Sequence, residues 1–388
     1  MRVTHVITRL IVGGAQENTV ASVLGLQRKP GLSVQLISGP STGPEGSLQS
    51  HFGETSPLLS IVPHLVRSVH PWKDALALRQ LIRFFRAQNP HLVHTHSSKA
   101  GILGRLAARR AGVPAIVHTI HGPSFGLFQG AAANGLFRMA ERYAGKCTTH
   151  FVSVADAMTK QYLAAGIGRP EQFTRIFSGF PVETFLEVKN DPALRQRWGL
   201  VPADFVVGKI ARLFKLKGHD DLLAAAPALL KRCPQMKFLV VGDGPWRERL
   251  ELKVQQLGLH GRFIFTGLVS PAEIPALAGI MDVLVHLSRR EGLARALPQA
   301  LAAARPVVAY DCDGANEICL PNETGFLVRP GDLGELIERL LQLASEPALR
   351  ERLGRRGQQL VQEWFPVERM IDELYFLYQR LWTTHPKR

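Results

Sequence analysis

Short runs rich in β-branched residues alternate with helix-length segments along almost the whole chain, and this alternation constrains the fold more than any other feature. The runs are RVTHVIT, SVQLIS, HLVHTHS, AIVHTIH and HFVSVA, then FVVGKIAR, KFLVVGDG, RFIFTG, DVLVHLS and PVVAYD. Amphipathic stretches such as WKDALALRQLIRFFRAQ and WRERLELKVQQLG lie between them. Near-continuous apolar strands separated by helices point to parallel sheets covered on both faces. There are too many strands for one open sheet of usual size. The segment SGFPVETFLEVKNDPALRQRWGLVPADF carries no strand signal and interrupts the alternation. The chain therefore reads as two doubly wound α/β domains, 1–183 and 184–365, followed by a terminal segment 366–388. A closed (β/α)8 barrel is the structural rival.

The 388 residues, 46% hydrophobic and 20% charged, suit two such domains and exclude a disordered or collagen-like chain. No apolar run approaches the roughly 20 residues of a membrane helix. The start, MRVTHVITRL, lacks the apolar block of a signal peptide, so a cytosolic protein is expected. Cys147, Cys233, Cys312 and Cys319 have no C-x-x-C spacing and read as small apolar residues.

The net charge of +15 is unevenly spread. Residues 1–183 hold 19 Lys and Arg against 8 Asp and Glu, whereas 184–388 hold 28 against 24. A basic first half suits an anionic partner. Arg79, Arg83 and Arg86 fall at helical spacing, but no aromatic platform or known motif accompanies them, so nucleic acid is not the expected partner.

In open α/β sheets, ligands bind beyond the carboxyl ends of the strands. Gly13 and Gly14 open a helix there, where free N–H groups favour an anion, although the pattern is neither G-x-G-x-x-G nor a P-loop. His94 and His96 point to one face of their strand. That spacing could serve a metal, but no third ligand is evident. His118 and His121 repeat the pattern, and His121, beside Gly122, is the better candidate for a polar or catalytic role. In the second half, Arg212 at a strand end and Lys217 before a helix could clamp a diphosphate. Gly242 and Gly244 occupy a strand-to-helix turn. Asp311-x-Asp313 looks like a metal motif but reads better as an anion-facing turn before Asn316. In SRREGLARALPQALA, Glu291 and Gly292 follow a strand, a helix begins near Arg295 with Pro298 in its first turn, and Gln299 follows Glu291 by eight residues.

In this order, GGAQ, HLVHTHS, HTIHG, VSVADAM, IFSGFPVETF, IARLFKLKG, VVGDGP, FTG, SRREG…Q and DGANEI make the chain resemble a retaining GT-B glycosyltransferase of the family 4 type. The resemblance spans nearly the whole chain. It implies two Rossmann-like domains facing a cleft, with the acceptor in the first and a nucleotide-diphospho-sugar donor in the second. It also implies a final helix crossing back onto the first domain. The expected donor set is Gly13, Gly14, Arg212, Lys217, Gly242, Gly244, Gly267, Leu268, Glu291, Gly292, Leu293 and Gln299; Gln16, His96 and His121 would address the acceptor. The resemblance implies that His121, Glu291, Arg212 and Lys217 carry catalysis without a metal or other cofactor. It further implies a glycan or lipid-linked acceptor in polysaccharide or lipopolysaccharide assembly, and the basic first half suits an acidic surface at the inner face of the cell membrane or a lipid-pyrophosphate acceptor. Three departures stand out: Gln299 replaces the second Glu of the family's motif, Gln16 replaces the commoner Glu, and Ser178-Gly179 replaces the usual Asn-Gly. A GT-B epimerase or phosphorylase, or a non-catalytic sugar-nucleotide-binding protein, are the alternatives.

Overall fold

A computed structural model describes residues 1–41, 46–53, 57–126 and 128–384. The chain divides into two units. The first is Met1–Phe180 together with the C-terminal helix Val367–Thr384; the second is Pro181–Pro366.

The first unit is built on strands β1 (Arg2–Ile7), β2 (Ser33–Ser38), β3 (Leu59–Ile61), β4 (Leu92–His96), β5 (Ala115–Ile120), β6 (His150–Ser153) and β7 (Phe173–Arg175). They form a parallel sheet in the order β3-β2-β1-β4-β5-β6-β7. Every residue of β4 and β5 is buried, as the uninterrupted runs LVHTH and AIVHTI require of central strands. One face packs Val6, Ile37 and Val93 against Ala77, Leu81 and Phe85 of the helix Pro71–Gln88. That helix starts on a proline and stops at Asn89, which takes the left-handed conformation with φ 48°. Arg79, Arg83 and Arg86 lie on its exposed face.

The other face receives the C-terminal helix, which buries Met370, Ile371, Leu374, Leu377, Tyr378 and Leu381. It lies close against the helix Gly14–Leu26. A Cβ at Gly25 would stand 2.0 Å from the Ile371 side chain, so glycine sets that spacing.

The second unit carries β8 (Phe205–Ile210), β9 (Met236–Val241), β10 (Phe263–Gly267), β11 (Val283–His286), β12 (Val307–Tyr310) and β13 (Gly325–Val328). They pair in parallel as β10-β9-β8-β11-β12-β13. Both sheets are open, which removes the barrel. Each reverses its strand order once, between β1 and β4 and between β8 and β11. Such reversals splay the flanking loops apart and leave a crevice at the carboxyl edge. Among the described residues, no helix is long and apolar enough to cross a membrane. All four cysteines are free.

Candidate functional site

The second unit assembles a charged cluster at its switch point, from the loops after β8 and β11. Gly218 has φ 67°, and a Cβ there would stand 2.1 Å from the Leu287 carbonyl oxygen. Only glycine lets the two loops approach this closely. The Arg289 N–H then donates to the Leu216 oxygen at 2.9 Å. This pairing delivers Lys217 to Glu291, whose Oε1 accepts from the Lys217 ammonium. Arg212 stacks on the Phe214 ring at 4.8 Å, and its own carbonyl accepts from His219 Nε2 at 3.0 Å. Burial first, then the neighbouring charges of Arg212 and Arg290, draws Lys217 down to about 8. Arg290 is likewise pulled down by burial, to about 10, against the opposing pull of Asp313. Three cations thus converge at one loop pair.

Gly242 and Gly244 have positive φ, 130° and 158°. Their missing Cβ atoms make room for the backbone of Ala211 and Leu213, which they would otherwise meet at 2.3 and 2.5 Å. They therefore support the loop that carries Arg212. Gly267 closes β10, and Leu268 beyond it is 58% exposed. Gly292 is buried, and its carbonyl accepts from the Gly314 N–H at 2.9 Å; Leu293 follows, partly buried. The helix after this loop runs Ala296–Ala302. It places Gln299 in its first turns, with a side chain that makes no hydrogen bond to the described residues.

The two aspartates of the apparent metal motif do different things. Asp311 accepts from Asn316 Nδ2 at 3.1 Å, while Asp313 accepts from the Glu291 N–H at 2.6 Å. Asp313 opens a 3-10 turn, Asp313–Glu317, where the sequence suggests an anion-facing turn before Asn316. Arg290 is the member of this cluster that the sequence reading passes over, while Asp313, read there as part of an anion-facing turn, accepts from the Glu291 N–H. The pair of arginines before Glu291 was the available signal.

In the first unit, Gly13 precedes the helix Gly14–Leu26, and Gln16 folds back so that a Cβ on Gly13 would meet its Oε1 at 2.9 Å. Asn18 Nδ2 donates to Ser178 Oγ at 3.1 Å, which gives the altered Ser178-Gly179 pair a buried partner. His118 is a core residue: Nδ1 lies 2.9 Å from Thr95 Oγ1, and its ring packs where a Cβ on Gly101 would be. His121, by contrast, is partly exposed beyond the end of β5. Its Nε2 lies 3.1 Å from His96 Nδ1. The third imidazole that seems missing in the sequence is His5 of β1. Ligand atoms of His5, His94 and His96 lie within 4.8 Å of one another, the sole such group among the described residues. Every ring nitrogen of these three already has a hydrogen-bond partner. The charges that act on the group are other histidines, with no carboxylate to offset a buried cation. Burial holds His5 near 3 and His121 near 4, so the rings are neutral at physiological pH.

Two open parallel sheets, each with its polar residues at the carboxyl edge of a switch point, define a two-domain enzyme of the Rossmann-like kind. Comparison with known proteins agrees. Residues 13–176 match the glycosyl transferase 4-like domain, and residues 190–360 match glycosyl transferases group 1. The chain is 28% identical over 321 residues to the UDP-Gal:alpha-D-GlcNAc-diphosphoundecaprenol alpha-1,3-galactosyltransferase of Escherichia coli, covering 82% of each. It is 24% identical to the capsular polysaccharide biosynthesis glycosyltransferase CapM of Staphylococcus aureus, covering 90% of each. Among solved structures, HepE of Anabaena in complex with UDP and glucose superposes with a TM-score of 0.82 at 21% identity, over 98% of this chain and 99% of that one. The chain belongs to the group 1 family of glycosyl transferases and is a glycosyltransferase of the GT-B fold.

Proposed function

We propose that the protein transfers a sugar from a nucleotide-diphospho-sugar to a hydroxyl acceptor, with retention of anomeric configuration and without a metal. The observation that carries this reading is the convergence of Arg212, Lys217 and Arg290 around Glu291 at the switch point of the second unit. When the bond from the anomeric carbon to the β-phosphate oxygen breaks, its electron pair stays on the diphosphate. Fixed cations in a partly dry site stabilise that charge without reorganising, the task a divalent ion performs elsewhere. The acceptor oxygen bonds to the anomeric carbon on the face the diphosphate leaves, and its proton passes to the departing phosphate. Glu291 holds hydroxyls of the donor sugar. Gln299 addresses the ribose, with Gly267, Leu268, Gly292 and Leu293 shaping the rest of the donor site. Gly13, Gly14, Gln16 and His121 serve the phosphate and acceptor side, whereas His96, expected there from the sequence, is buried with both ring nitrogens bonded and acts only behind His121.

The names of the Escherichia coli and Staphylococcus aureus relatives favour assembly of a polysaccharide or of a glycan on a polyprenyl diphosphate. A surface feature supports this acceptor class. The helix Ala131–Gly145 exposes Leu136, Met139 and Tyr143, at 57%, 64% and 59%, beside exposed Arg138 and Arg142. An apolar stripe flanked by cations suits an anionic lipid surface.

The test is incubation of the protein with UDP-, GDP- and ADP-sugars and a polyprenyl-diphosphate-sugar acceptor in EDTA, followed by anomeric assignment of the product. An α-linked product from an α-linked donor supports the reading; inversion, or turnover that needs an added divalent ion, refutes it.

A further inference from the structure

Five hydrogen bonds join six side chains of the first unit head to tail. Thr119 Oγ1 lies 2.6 Å from His94 Nε2, and His94 Nδ1 meets the Tyr378 hydroxyl. That hydroxyl lies 3.3 Å from His5 Nε2, His5 Nδ1 lies 3.0 Å from His96 Nε2, and His96 Nδ1 lies 3.1 Å from His121 Nε2. The rings of His94 and His96 stack with centroids 4.4 Å apart, and those of His5 and His96 at 5.2 Å. All members except His121 are at most 4% exposed. The file draws on β1, β4, β5 and the C-terminal helix, so no local stretch of sequence contains it.

A neutral imidazole carries one N–H and one lone pair, so a ring that accepts at one nitrogen donates at the other. The Tyr378 hydroxyl passes polarity on in the same way. With every ring neutral, a Tyr378 hydroxyl that accepts from both His94 and His5 strands its own buried proton, since it has no other hydrogen-bond partner among the described residues. With that hydroxyl both accepting and donating, two arrangements exist. Either each histidine carries its proton on Nδ1 and the file points from Thr119 to His121, or each carries it on Nε2 and the file runs backwards.

Thr119 decides between them. Its hydroxyl has no hydrogen-bond partner other than His94 among the described residues. In the backward arrangement Thr119 would accept from His94, and its own proton would be buried without an acceptor, at the full desolvation cost of that donor. In the forward arrangement that proton goes to His94 Nε2 and nothing is stranded. The other end is open: His121 is partly exposed, and its Nδ1 has no hydrogen-bond partner among the described residues.

We propose that Thr119, acting through His94, Tyr378, His5 and His96, holds His121 as the Nδ1–H tautomer, so that His121 offers its ligand a fixed hydrogen-bond donor rather than a base. The inner five are positioning residues. His121 itself donates to a substrate oxygen, a sugar hydroxyl or a phosphate, which rests on the assignment of His121 to the phosphate and acceptor side under the proposed function. The file also gives the C-terminal helix a part in the site, since Tyr378 is its central link.

The experiment uses full-length protein labelled with 15N-histidine. Long-range 1H–15N spectra report which ring nitrogen of each histidine carries the proton. Wild type is expected to show His5, His94, His96 and His121 all as Nδ1–H. Thr119→Val removes the proton that sets the direction and should shift His121 to a mixture or to Nε2–H, whereas Thr119→Ser should restore the wild-type pattern. Tyr378→Phe severs the file and should do the same as Thr119→Val. In turnover, Thr119→Val should lower kcat about tenfold with little change in donor KM, and Thr119→Ser should recover it. His121 found as Nε2–H in wild type overturns the proposal, as does a His121 tautomer untouched by whichever of Thr119→Val and Tyr378→Phe is folded. Stoichiometric zinc in the purified protein, removed only with loss of the tautomer pattern, overturns it in favour of a His5–His94–His96 metal site. The spectra are read on free protein. Failure of every donor to turn over therefore refutes the proposed function while leaving the hydrogen-bonded file standing.

Discussion

The Lys217 ammonium donates to the Glu291 carboxylate across two loops that follow different strands, with the Lys217 side chain 14% exposed and that of Glu291 30%. Burial, and after it the nearby charges of Arg212 and Arg290, draws this ammonium down to about 8. A diphosphate entering the site replaces this repulsion by attraction. Lys217→Ala is expected to weaken UDP or GDP binding by about 2 kcal/mol, or roughly thirtyfold, in titration calorimetry at pH 7.

The same group sets a pH dependence. The folded value of about 8 lies below the ordinary 10.5, so between the two the unfolded chain holds more protons. Lys217 therefore destabilises the fold at neutral pH, and that penalty is relieved as pH rises from about 8 toward 10.5. Donor affinity moves the opposite way, because the ligand needs the protonated form. Nucleotide affinity should fall by up to about tenfold per pH unit above 8 in wild type and stay flatter in Lys217→Ala.

Gly218 is the joint on which that pairing depends. A methyl group there meets the Leu287 carbonyl at 2.1 Å in a backbone conformation with φ 67°. Gly218→Ala should cost about 2–3 kcal/mol in urea denaturation. It should also lower nucleotide affinity, since the loops must part to accept the Cβ and Lys217 moves with them.

Gln299 offers a sharper test of the donor assignment. An amide accepts a hydroxyl hydrogen bond but without the charge that strengthens it, a difference of about 1 kcal/mol. Gln299→Glu should tighten UDP binding up to about fivefold. Unchanged or weaker binding removes Gln299 from the ribose.

How far these residues could be read in the sequence depends on where their partners lie. Central strands such as β4 and β5 are buried on both faces, so their composition announces them. The short strands β3 and β7 sit half-exposed at the sheet edges, three residues each, with too little burial to leave a pattern. β13 opens on Gly325, which reads as a turn signal; in the fold its missing Cβ admits the Val307 carbonyl at 1.9 Å. Arg212, Lys217 and Glu291 are legible because each lies in the loop that follows a strand. Their pairing is not, since the close approach at Gly218 is a tertiary event. His5 was invisible as a partner of His94 and His96 because sheet order, not sequence, makes β1 and β4 neighbours.

The loop after His121 is anchored by a buried ion pair. Arg105 Nη2 and Glu141 Oε2 are 2.5 Å apart with both side chains fully buried, and Ser124 Oγ donates to Glu141 Oε1 at 3.0 Å. Removing one partner strands the other charge. Glu141→Ala should cost about 3–5 kcal/mol in urea denaturation, and Arg105→Met with Glu141→Leu together much less than the two single changes summed.

The helix Ala131–Gly145 leads back toward the same anchor, with Glu141 turned inward and Leu136, Met139 and Tyr143 turned out. Its cations, Arg138 and Arg142, are exposed beside that stripe. If this face meets lipid, charge and apolar area act together, so two separate manipulations should weaken it. Raising salt from 0.1 to 1 M shortens the screening length from about 10 to 3 Å and should release most protein from vesicles containing phosphatidylglycerol. Leu136→Asp with Met139→Asp should release it at low salt as well, because exposed positions tolerate the change with little loss of stability. Co-sedimentation of the double variant at wild-type levels would place the lipid-facing surface elsewhere on the basic first unit. Loss of binding with melting temperature preserved would assign it to this helix.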